Sequence, residues 1–416
     1  MSDLRVELDG TLVGTLRGEW RTFDFHAAHE GIERFGLEST ALSVDSPLTL
    51  APRRSGRARR QAWFAGLQPD GRLLSRLAAE AGLPVHDTIG LLRRYGRDLA
   101  GAPQIWDPEA PGEPRTPRLQ PLSVHGVANL LRTVQDSPLG NADVHGRTSL
   151  GGVQDKIVLT LQDGLWHRAL DGYPSTHLLK PGSSLLPTLI GDEAYGSLVA
   201  RHLGLAEHRT WIESFADVDA LVIERYDRTQ GTPPGRVHQE DLSQVLGVVG
   251  DQKYQRIGGR VSCARVAQAL AARLPDAEES LRWLTRMVTL SVAVGNLDMH
   301  TKNLSILHPS GSRPRPAPAY DVVPMAHRAG DGEMALAVAG EYRHAALTCE
   351  HLVAEAESWG LGTNDAQGLV TGTVESIRDY ARTHDAPPPA DPRLPHIITT
   401  FCDRLLAGQE VGSVQD

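Results

Sequence analysis

A cluster of polar residues interrupts an otherwise apolar stretch, SVAVGNLDMHTKNLS, at residues 291–305. Its members are Asp298, His300, Lys302 and Asn303. Kinases place a base Asp and a metal-binding Asn five residues apart on one loop, with a second metal-binding Asp further along. Asp298 and Asn303 have that spacing, and Asp321, in APAYDVVPM, follows 18 residues after Asn303. The pattern predicts a loop for phosphoryl transfer; a charged turn at a helix end is the alternative.

Residues earlier in the chain could bind the phosphates of a nucleotide. Gly151 and Gly152, in TSLGGVQDK, permit the backbone conformations and the close approach that a phosphate-binding turn needs. Lys180 ends a predicted strand, THLLK, from which its ammonium could reach the α and β phosphates. Glu193 begins a predicted helix and could pair with Lys180, as a helix glutamate does in kinases. A Glu that only complements the helix dipole is an equal alternative.

The segment VIERYDR, residues 222–228, predicts a buried strand that runs into a charged turn. A strand of this kind could lead into a hinge that reads adenine through its backbone. Glu224 and Tyr226 would then flank the base. Together with the loop at Asp298, these segments predict a site for ATP and Mg²⁺.

The elements that must position these residues follow from periodicity and turn chemistry. Alternating residues around Asp9-Gly10 and around Asp163-Gly164 predict two β-hairpins. Asp87 and Gly96 are placed to begin and end one helix. The long apolar pattern before Asn296 predicts a helix that carries the polar loop. A strand-rich part followed by a helix-rich part predicts an α+β fold. This is the order of a two-lobed kinase, although α+β enzymes of other kinds share it.

Prolines mark the main boundary in the chain, at positions 103, 108, 111, 114, 117 and 121. Such a stretch cannot continue a helix or a central strand. We therefore predict a small α+β domain over residues 1–103 and a Pro-rich linker over 104–121. A strand-rich lobe over 122–230 and a helical lobe over 231–416 complete the predicted organisation.

Composition narrows the class of protein. A chain of 416 residues favours two or three domains, and its net charge of −9 argues against a protein that coats nucleic acid. The three cysteines, Cys263, Cys349 and Cys402, lack the spacing of metal ligands. The N-terminus has no apolar core typical of a signal peptide, and apolar runs are shorter than a membrane span. These features predict a cytoplasmic protein with no membrane contact.

Six motifs in order give the sequence a family resemblance. They are TSLGGVQDKIVL, STHLLKP, VIERYDR, HQEDLSQ, NLDMHTKNLSIL and AYDVVPM. With ALSVDSPLTL and AWFAGLQPDGRLLSRLA before them, they resemble the HipA-type toxin serine/threonine kinases of bacterial toxin–antitoxin systems. The resemblance extends from about residue 5 to about residue 405. It implies a two-lobed kinase-like fold preceded by a small N-terminal domain, with ATP and Mg²⁺ as cofactors.

The resemblance implies a role for each matching position. Asp298 would be the catalytic base, Asn303 and Asp321 would hold Mg²⁺, and Ser149 would be autophosphorylated, which would eject its loop from the nucleotide site. Glu193 would support Lys180. The implied nucleotide-binding residues are Gly151, Gly152, Val153, Gln154, Asp155, Lys156, Lys180, Glu224, Arg225, Tyr226, His300, Lys302 and Tyr320. Two positions depart from the family pattern: Asp155, which adds negative charge beside the phosphate loop, and Met299.

The resemblance also implies partners. A small helix-turn-helix antitoxin would bind this chain and carry it to operator DNA. The protein substrate would be an aminoacyl-tRNA synthetase, whose phosphorylation arrests translation. A small-molecule kinase and a pseudokinase that acts only as a corepressor are the alternatives. The segment RRSGRARR, residues 53–60, holds five arginines, which predicts either a solvated loop or a contact with nucleic-acid phosphates.

Overall fold

The computed structural model describes residues 3–135, 139, 141, 148–150 and 154–413. The chain forms two compact units, each described separately below. The first unit comprises Met1–Pro181, Glu213–Gly250 and Leu307–Ser312. The second comprises Gly182–Ile212, Asp251–Ile306 and Arg313–Asp416. The domain borders predicted at residues 103, 121 and 230 stay a prediction.

The α-helices of the described residues are numbered in chain order. They are α1 His29–Phe35, α2 Arg57–Gly66, α3 Gly71–Ala81, α4 Thr88–Tyr95, α5 Val124–Arg132, α6 Leu189–His202, α7 Leu242–Leu246, α8 Cys263–Arg273, α9 Ala277–Val294, α10 Cys349–Ser358, α11 Thr363–Thr383 and α12 Leu394–Leu406. No helix among the residues described here is long and apolar enough to cross a membrane.

The strands of the described residues are numbered in the same way. They are β1 Leu4–Leu8, β2 Thr11–Arg17, β3 Asp24–Ala27, β4 Pro103–Trp106, β5 Arg118–Pro121, β6 Ile157–Gln162, β7 Leu165–Leu170, β8 His177–Pro181, β9 Thr210–Phe215, β10 Val218–Glu224, β11 His238–Asp241, β12 Ser305–His308, β13 Arg315–Pro316, β14 Glu333–Val338 and β15 Glu341–Arg343. Strands β9 and β12 each pass from the second unit into the first.

A four-stranded sheet of order β3-β2-β1-β4 begins the first unit. The hairpin predicted around Asp9-Gly10 is confirmed: β1 and β2 are antiparallel, and both turn residues have positive φ, 50° and 76°. Side chains of β1 alternate between buried and partly buried, so Leu4, Val6 and Leu8 form the core of this sheet. The cap predicted for α4 is also confirmed, since the Asp87 side chain accepts from the Gly90 N–H at 2.8 Å.

A second sheet, of order β5-β7-β6-β8-β10-β9, occupies most of the rest of this unit. The predicted hairpin at Asp163-Gly164 is confirmed by the antiparallel pairing of β6 and β7. The Pro-rich segment contributes β4 and β5, each at the edge of its sheet. Proline lacks the N–H that a central strand must donate, which explains this edge placement.

A buried ion cluster ties the segment before β4 to the end of β10. Asp98 accepts from Ser175 Oγ at 2.6 Å and from Arg228 Nη2 at 2.9 Å. Asp227 accepts from Arg225 Nε at 2.9 Å, and the Gly101 N–H donates to it at 2.7 Å. Burial acts to raise the pKa of both carboxyls, but the surrounding guanidiniums hold each pKa below its usual range.

A second polar cluster lies around the carboxylate of Glu240 in β11. Glu240 accepts from Trp63 Nε1 at 2.8 Å and from the Val44 N–H at 2.8 Å, and its Oε1 lies 3.0 Å from His308 Nε2. His238, two residues earlier, donates from Nε2 to the Leu42 carbonyl at 2.7 Å. These contacts fix residues 42–63 against β11 within the first unit.

We expect His238 to make the stability of the first unit depend on pH. Burial, followed by the neighbouring His308, lowers the pKa of His238 from 6.5 to about 4, against the opposing charges of Glu240 and Asp227. Between these values the unfolded chain binds more protons, so the free energy of unfolding rises with pH, by up to about 3 kcal/mol over the window. Urea unfolding at pH 7 and pH 5 measures this slope. His238→Gln should flatten it, and equal slopes in both proteins would contradict the assignment.

The second unit is built around α9, against which α8, α10, α11 and α12 pack. The sequence begins this helix with Asp276, whose side chain accepts from the Glu279 N–H at 3.2 Å, and with acidic residues in the first turn. It ends at Gly295, which has a left-handed φ of 72°. Twelve of the 15 side chains from Ser280 to Val294 are buried. The predicted helix before the polar loop is therefore confirmed.

Candidate functional site

The polar loop begins directly where α9 ends. Gly295 turns the chain, and its carbonyl accepts from the N–H groups of Met325 and Ala326 at 2.9 and 3.0 Å. A Cβ on residue 295 would lie 2.7 Å from the Ala326 side chain, so glycine permits both the turn and this close approach. The buried helix and these bonds give the loop a fixed starting point.

Asp298 and Asn303 meet within this loop. Asn303 Nδ2 donates to the Asp298 carbonyl at 3.0 Å, and the His300 N–H donates to the same oxygen at 2.8 Å. The Asn303 N–H donates to the His300 carbonyl at 2.9 Å, which closes a short 3₁₀ turn. Because the loop uses Nδ2 of Asn303, its Oδ1 is the side-chain atom suited to bind a cation.

Asp321 is held beside this loop by the backbone and by Tyr320. Its φ of 58° is left-handed, a conformation that Asp tolerates better than most residues. The Tyr320 hydroxyl donates to the Lys302 carbonyl at 2.7 Å and lies 2.6 Å from Ser305 Oγ. On its other side the segment crosses α6 at Gly196, where a Cβ would lie 2.0 Å from the Val322 carbonyl oxygen. Glycine at 196 is therefore required for this approach.

Asp298 has the electrostatics of a base. Burial, and then the negative charge of Asp321, raise the pKa of Asp298 to about 6, while a hydrogen bond from Tyr254 and the charge of Lys253 oppose the rise. Its side chain is still 44 % exposed, so the carboxylate is accessible from solvent. A carboxylate with this pKa is mostly ionised at neutral pH and is more basic than an ordinary Asp.

Lys253 and Tyr254 were missed by sequence reasoning. The Lys253 side chain is buried, and the Tyr254 ring stacks edge-on against His300 at 5.2 Å between centroids. His300 Nε2 lies 4.0 Å from the Asp298 carboxylate. A Lys-Tyr pair in a connecting segment is a weak signal in a sequence. Only the folding of residues 251–262 beside the loop reveals that these side chains surround Asp298.

The donor set suits one divalent cation of the magnesium type. Asn303 offers an amide oxygen and Asp321 a carboxylate, both hard oxygen ligands. Among the described residues no group of three or more His, Cys, Asp and Glu side chains could hold a metal ion by itself. Mg²⁺ commonly takes only one or two protein carboxylates and completes its shell with substrate phosphates and water. The residues present therefore fit a cation that arrives with a nucleotide.

The other nucleotide-binding candidates lie in the first unit. Lys180 is buried on β8, opposite Leu221 of β10. Tyr226 donates its hydroxyl to Gln239, and Glu224 lies opposite His177 across the sheet. The side chain of Arg225 belongs to the buried ion cluster, so the predicted hinge would use the backbone of this residue. The nucleotide-binding role of these residues stays a prediction.

Two more predictions concern the glycine-containing loop before β6 and Glu193 in α6. Gly151, Gly152 and Val153 lie outside the described residues. The nucleotide-binding role of the flanking Gln154 and Lys156 stays a prediction. Glu193 is buried in α6 of the second unit, and its pairing with Lys180 of the first stays a prediction.

The departures from the family pattern have structural partners. The Asp155 carboxylate accepts from Arg76 Nη1 at 2.7 Å, so its added charge is paired within the first unit. Met299 is buried, and its sulfur accepts from the Ser291 hydroxyl at 3.0 Å. Neither side chain displaces Asp298, Asn303 or Asp321.

Comparison with known proteins now decides the family. The model of the HipA-like C-terminal domain matches residues 148–381, more than half of the chain, and the model of the HipA N-terminal domain matches residues 4–105. The chain belongs to the HipA family. The predicted resemblance is thereby confirmed over both parts of the sequence.

Relatives of this HipA-family chain cover most of its length. The protein Y4dM of Sinorhizobium fredii is 30% identical over 315 residues, 71% of this chain and 70% of that protein. The serine/threonine-protein kinase toxin HipA of Shewanella oneidensis is 27% identical over 317 residues, 73% of this chain and 72% of the relative.

A solved structure supports the fold of this HipA-family chain. The complex of Shewanella oneidensis HipA with HipB and operator DNA contains a chain that matches with a TM-score of 0.79 and 24% identity, over 97% of this chain and 96% of that one. The predicted α+β, kinase-like fold is confirmed.

Proposed function

We propose that this HipA-family chain is an ATP- and Mg²⁺-dependent serine/threonine protein kinase that acts as the toxin of a toxin–antitoxin pair. The observation that carries the proposal is the loop in which Asn303 bonds to Asp298 beside Asp321. This is the base and ligand pair that phosphoryl transfer needs, at the spacing found in kinases.

Different residues of this chain would have different roles in the reaction. Asp298 accepts the proton of the acceptor hydroxyl as that oxygen attacks the γ-phosphorus, and the bond to the β-phosphate oxygen breaks. Tyr254 and His300 hold the loop around Asp298. Asn303 and Asp321 would bind Mg²⁺, which when present neutralises charge on the phosphates. Lys180, with Gly151 and Gly152, would position the nucleotide.

The partners proposed for this chain come from its family. A small helix-turn-helix antitoxin would neutralise it and connect it to operator DNA, and an aminoacyl-tRNA synthetase would be its protein substrate. The related Shewanella oneidensis protein was solved with HipB and operator DNA, which supports the antitoxin part of this proposal. A cytoplasmic location stays a prediction of the sequence.

Transfer of labelled phosphate tests the proposed activity. The purified chain is incubated with γ-labelled ATP and MgCl₂, alone and with a set of aminoacyl-tRNA synthetases, and products are mapped by mass spectrometry. We expect label on Ser149 and on one synthetase, abolished by EDTA. Transfer to small molecules alone would favour a small-molecule kinase. The absence of Mg²⁺-dependent transfer to any acceptor would favour a corepressor without catalytic activity.

We expect phosphorylation of Ser149 to be limited by release of its segment. Ser149 is buried; its Oγ donates to the Leu67 carbonyl at 3.2 Å and its N–H to the Asp98 carbonyl at 3.2 Å. The Arg76–Asp155 ion pair ties Asp155, six positions after Ser149, to α3. Since a partly exposed pair contributes about 0.2–1 kcal/mol, Arg76→Gln should speed the reaction by up to about fivefold.

Time-resolved mass spectrometry of Ser149 checks this rate. Arg72→Gln, an exposed arginine on the same helix, is the matched control and should leave the rate unchanged. Equal rates for Arg76→Gln and the wild-type protein would show that this ion pair does not restrain the segment.

A further inference from the structure

The arginine-rich segment 53–60 divides into two groups in the structure. Arg60 donates to the Asp24 carboxylate at 2.6 and 2.8 Å and to the Arg53 carbonyl at 2.9 Å. Arg59 pairs with Asp45 and donates to the Val245 carbonyl at 2.9 Å. These two side chains are used to hold the first unit together. Arg54 and Arg57 line a cavity beside Asp24.

That cavity has a volume of about 390 Å³, large enough for a small ligand. Arg17, Arg54 and Arg57 line it, together with His26, Thr22 and the apolar segment 50–52. Arg17 and Arg54 are exposed, and Leu50 is 73 % exposed, so the cavity is open to solvent. Three arginines therefore line one cavity outside the loop of Asp298.

The acidic groups near this cavity do not cancel its charge. Asp24 lines the cavity, but its two oxygens are already bonded to Arg60, and Arg57 reaches it only at 3.6 Å. Asp3 pairs with Arg17 at 3.4 Å, but both side chains are about half exposed, and such a pair is weak. A positive potential therefore remains in the cavity.

The start of α2 adds to this potential. The short 3₁₀ turn Arg54–Gly56 leads into α2, whose first residue, Arg57, lines the cavity. Its N-cap, Gly56, offers no side-chain acceptor, and the first turn has no acidic residue. Arginines at this end of a helix are opposed by the helix dipole and become favourable when an anion binds between them.

We propose that this cavity is a phosphate-binding site, with Arg17, Arg54 and Arg57 as its ligands. Guanidiniums bind phosphate oxygens through paired N–H groups, so three arginines at one cavity suit a phosphate ligand. The phosphate belongs either to a free phosphate compound or to the backbone of a nucleic acid. The site is independent of the proposed kinase activity.

Binding of inorganic pyrophosphate to the full chain tests the site. Isothermal titration is run in EDTA, which suppresses Mg²⁺-dependent binding of phosphates at Asp298 and Asp321. We expect saturable binding with one pyrophosphate per chain, weakened at least about tenfold by Arg17→Gln/Arg54→Gln, because each arginine supplies a charge-assisted contact. Arg72→Gln, which removes the same charge outside the cavity, should bind as the wild-type protein does.

A short DNA duplex without terminal phosphates distinguishes the two sources. If it displaces pyrophosphate and its own binding is weakened in the double variant, the site takes backbone phosphates; if it does not displace pyrophosphate, the site takes free phosphate compounds. No saturable binding, or equal affinity in the wild-type protein and Arg17→Gln/Arg54→Gln, would overturn the proposal. The thermal unfolding midpoint of the ligand-free variant, matched to that of the wild-type protein, verifies that the fold is retained.

Discussion

Replacing Asp298 by Asn should lower the rate of phosphoryl transfer by about 10²–10⁴-fold, the usual contribution of a positioned base. The carboxamide has nearly the shape of the carboxylate but cannot accept the proton of the acceptor hydroxyl. The hydrogen bonds that organise the loop use the Asp298 backbone carbonyl, which the substitution retains. Nucleotide affinity should therefore change little while the turnover number collapses.

The assay is transfer from γ-labelled ATP under single-turnover conditions, with ATP binding measured separately by titration. Asp385→Asn, an exposed Asp in the same unit, removes the same charge and should keep full activity. Loss of ATP binding in Asp298→Asn would mean that Asp298 contributes to binding of the nucleotide rather than only to the transfer step. Unchanged transfer would exclude Asp298 as the base.

Replacing Asp98 by Ala should destabilise the first unit by about 3–5 kcal/mol, the cost of leaving buried charges without their partner. Arg228 Nη2 lies 2.9 Å from Asp98, and nitrogens of Arg225 and Arg236 lie within 4 Å of it. Without Asp98, Arg225 and Arg228 lose one of the two carboxylates that they pair with among the described residues. Removing a buried charge from such a cluster is one of the largest single-residue effects in proteins.

Urea unfolding followed by far-UV circular dichroism measures this loss. Asp217, whose exposed side chain pairs with Arg132, is the matched comparison, and Asp217→Ala should cost less than about 1 kcal/mol. Asp98→Leu/Arg228→Met, which removes charge from both sides, should recover part of the stability. If Asp98→Ala and Asp217→Ala lower the free energy of unfolding by the same amount, the buried cluster does not stabilise the first unit as proposed.

Features set by neighbouring residues could be predicted from the sequence. The hairpins at Asp9-Gly10 and Asp163-Gly164 and the ends of α4 at Asp87 and Gly96 depend on local turn chemistry and capping, and all are confirmed. The spacing of Asp298 and Asn303 is also local, because one short turn carries both residues.

Features set by contacts between distant segments could not be predicted. Gly196 is needed because Val322 crosses α6 there, and Tyr254 reaches the loop of Asp298 from a segment more than 40 residues earlier in the chain. No local pattern encodes either approach.

The arginines of segment 53–60 show most clearly the difference between what local sequence and what tertiary contacts determine. The sequence identified RRSGRARR as basic but could not say which of its arginines are already paired. Only the tertiary structure brings Asp24 and Asp45 to Arg60 and Arg59 and leaves Arg54 at an open cavity. The sequence determined the turns, the helix ends and the spacing of the candidate base and ligand, since these depend on adjacent residues. The tertiary structure decided which charges are neutralised, because an ion pair depends on where distant segments of the chain meet.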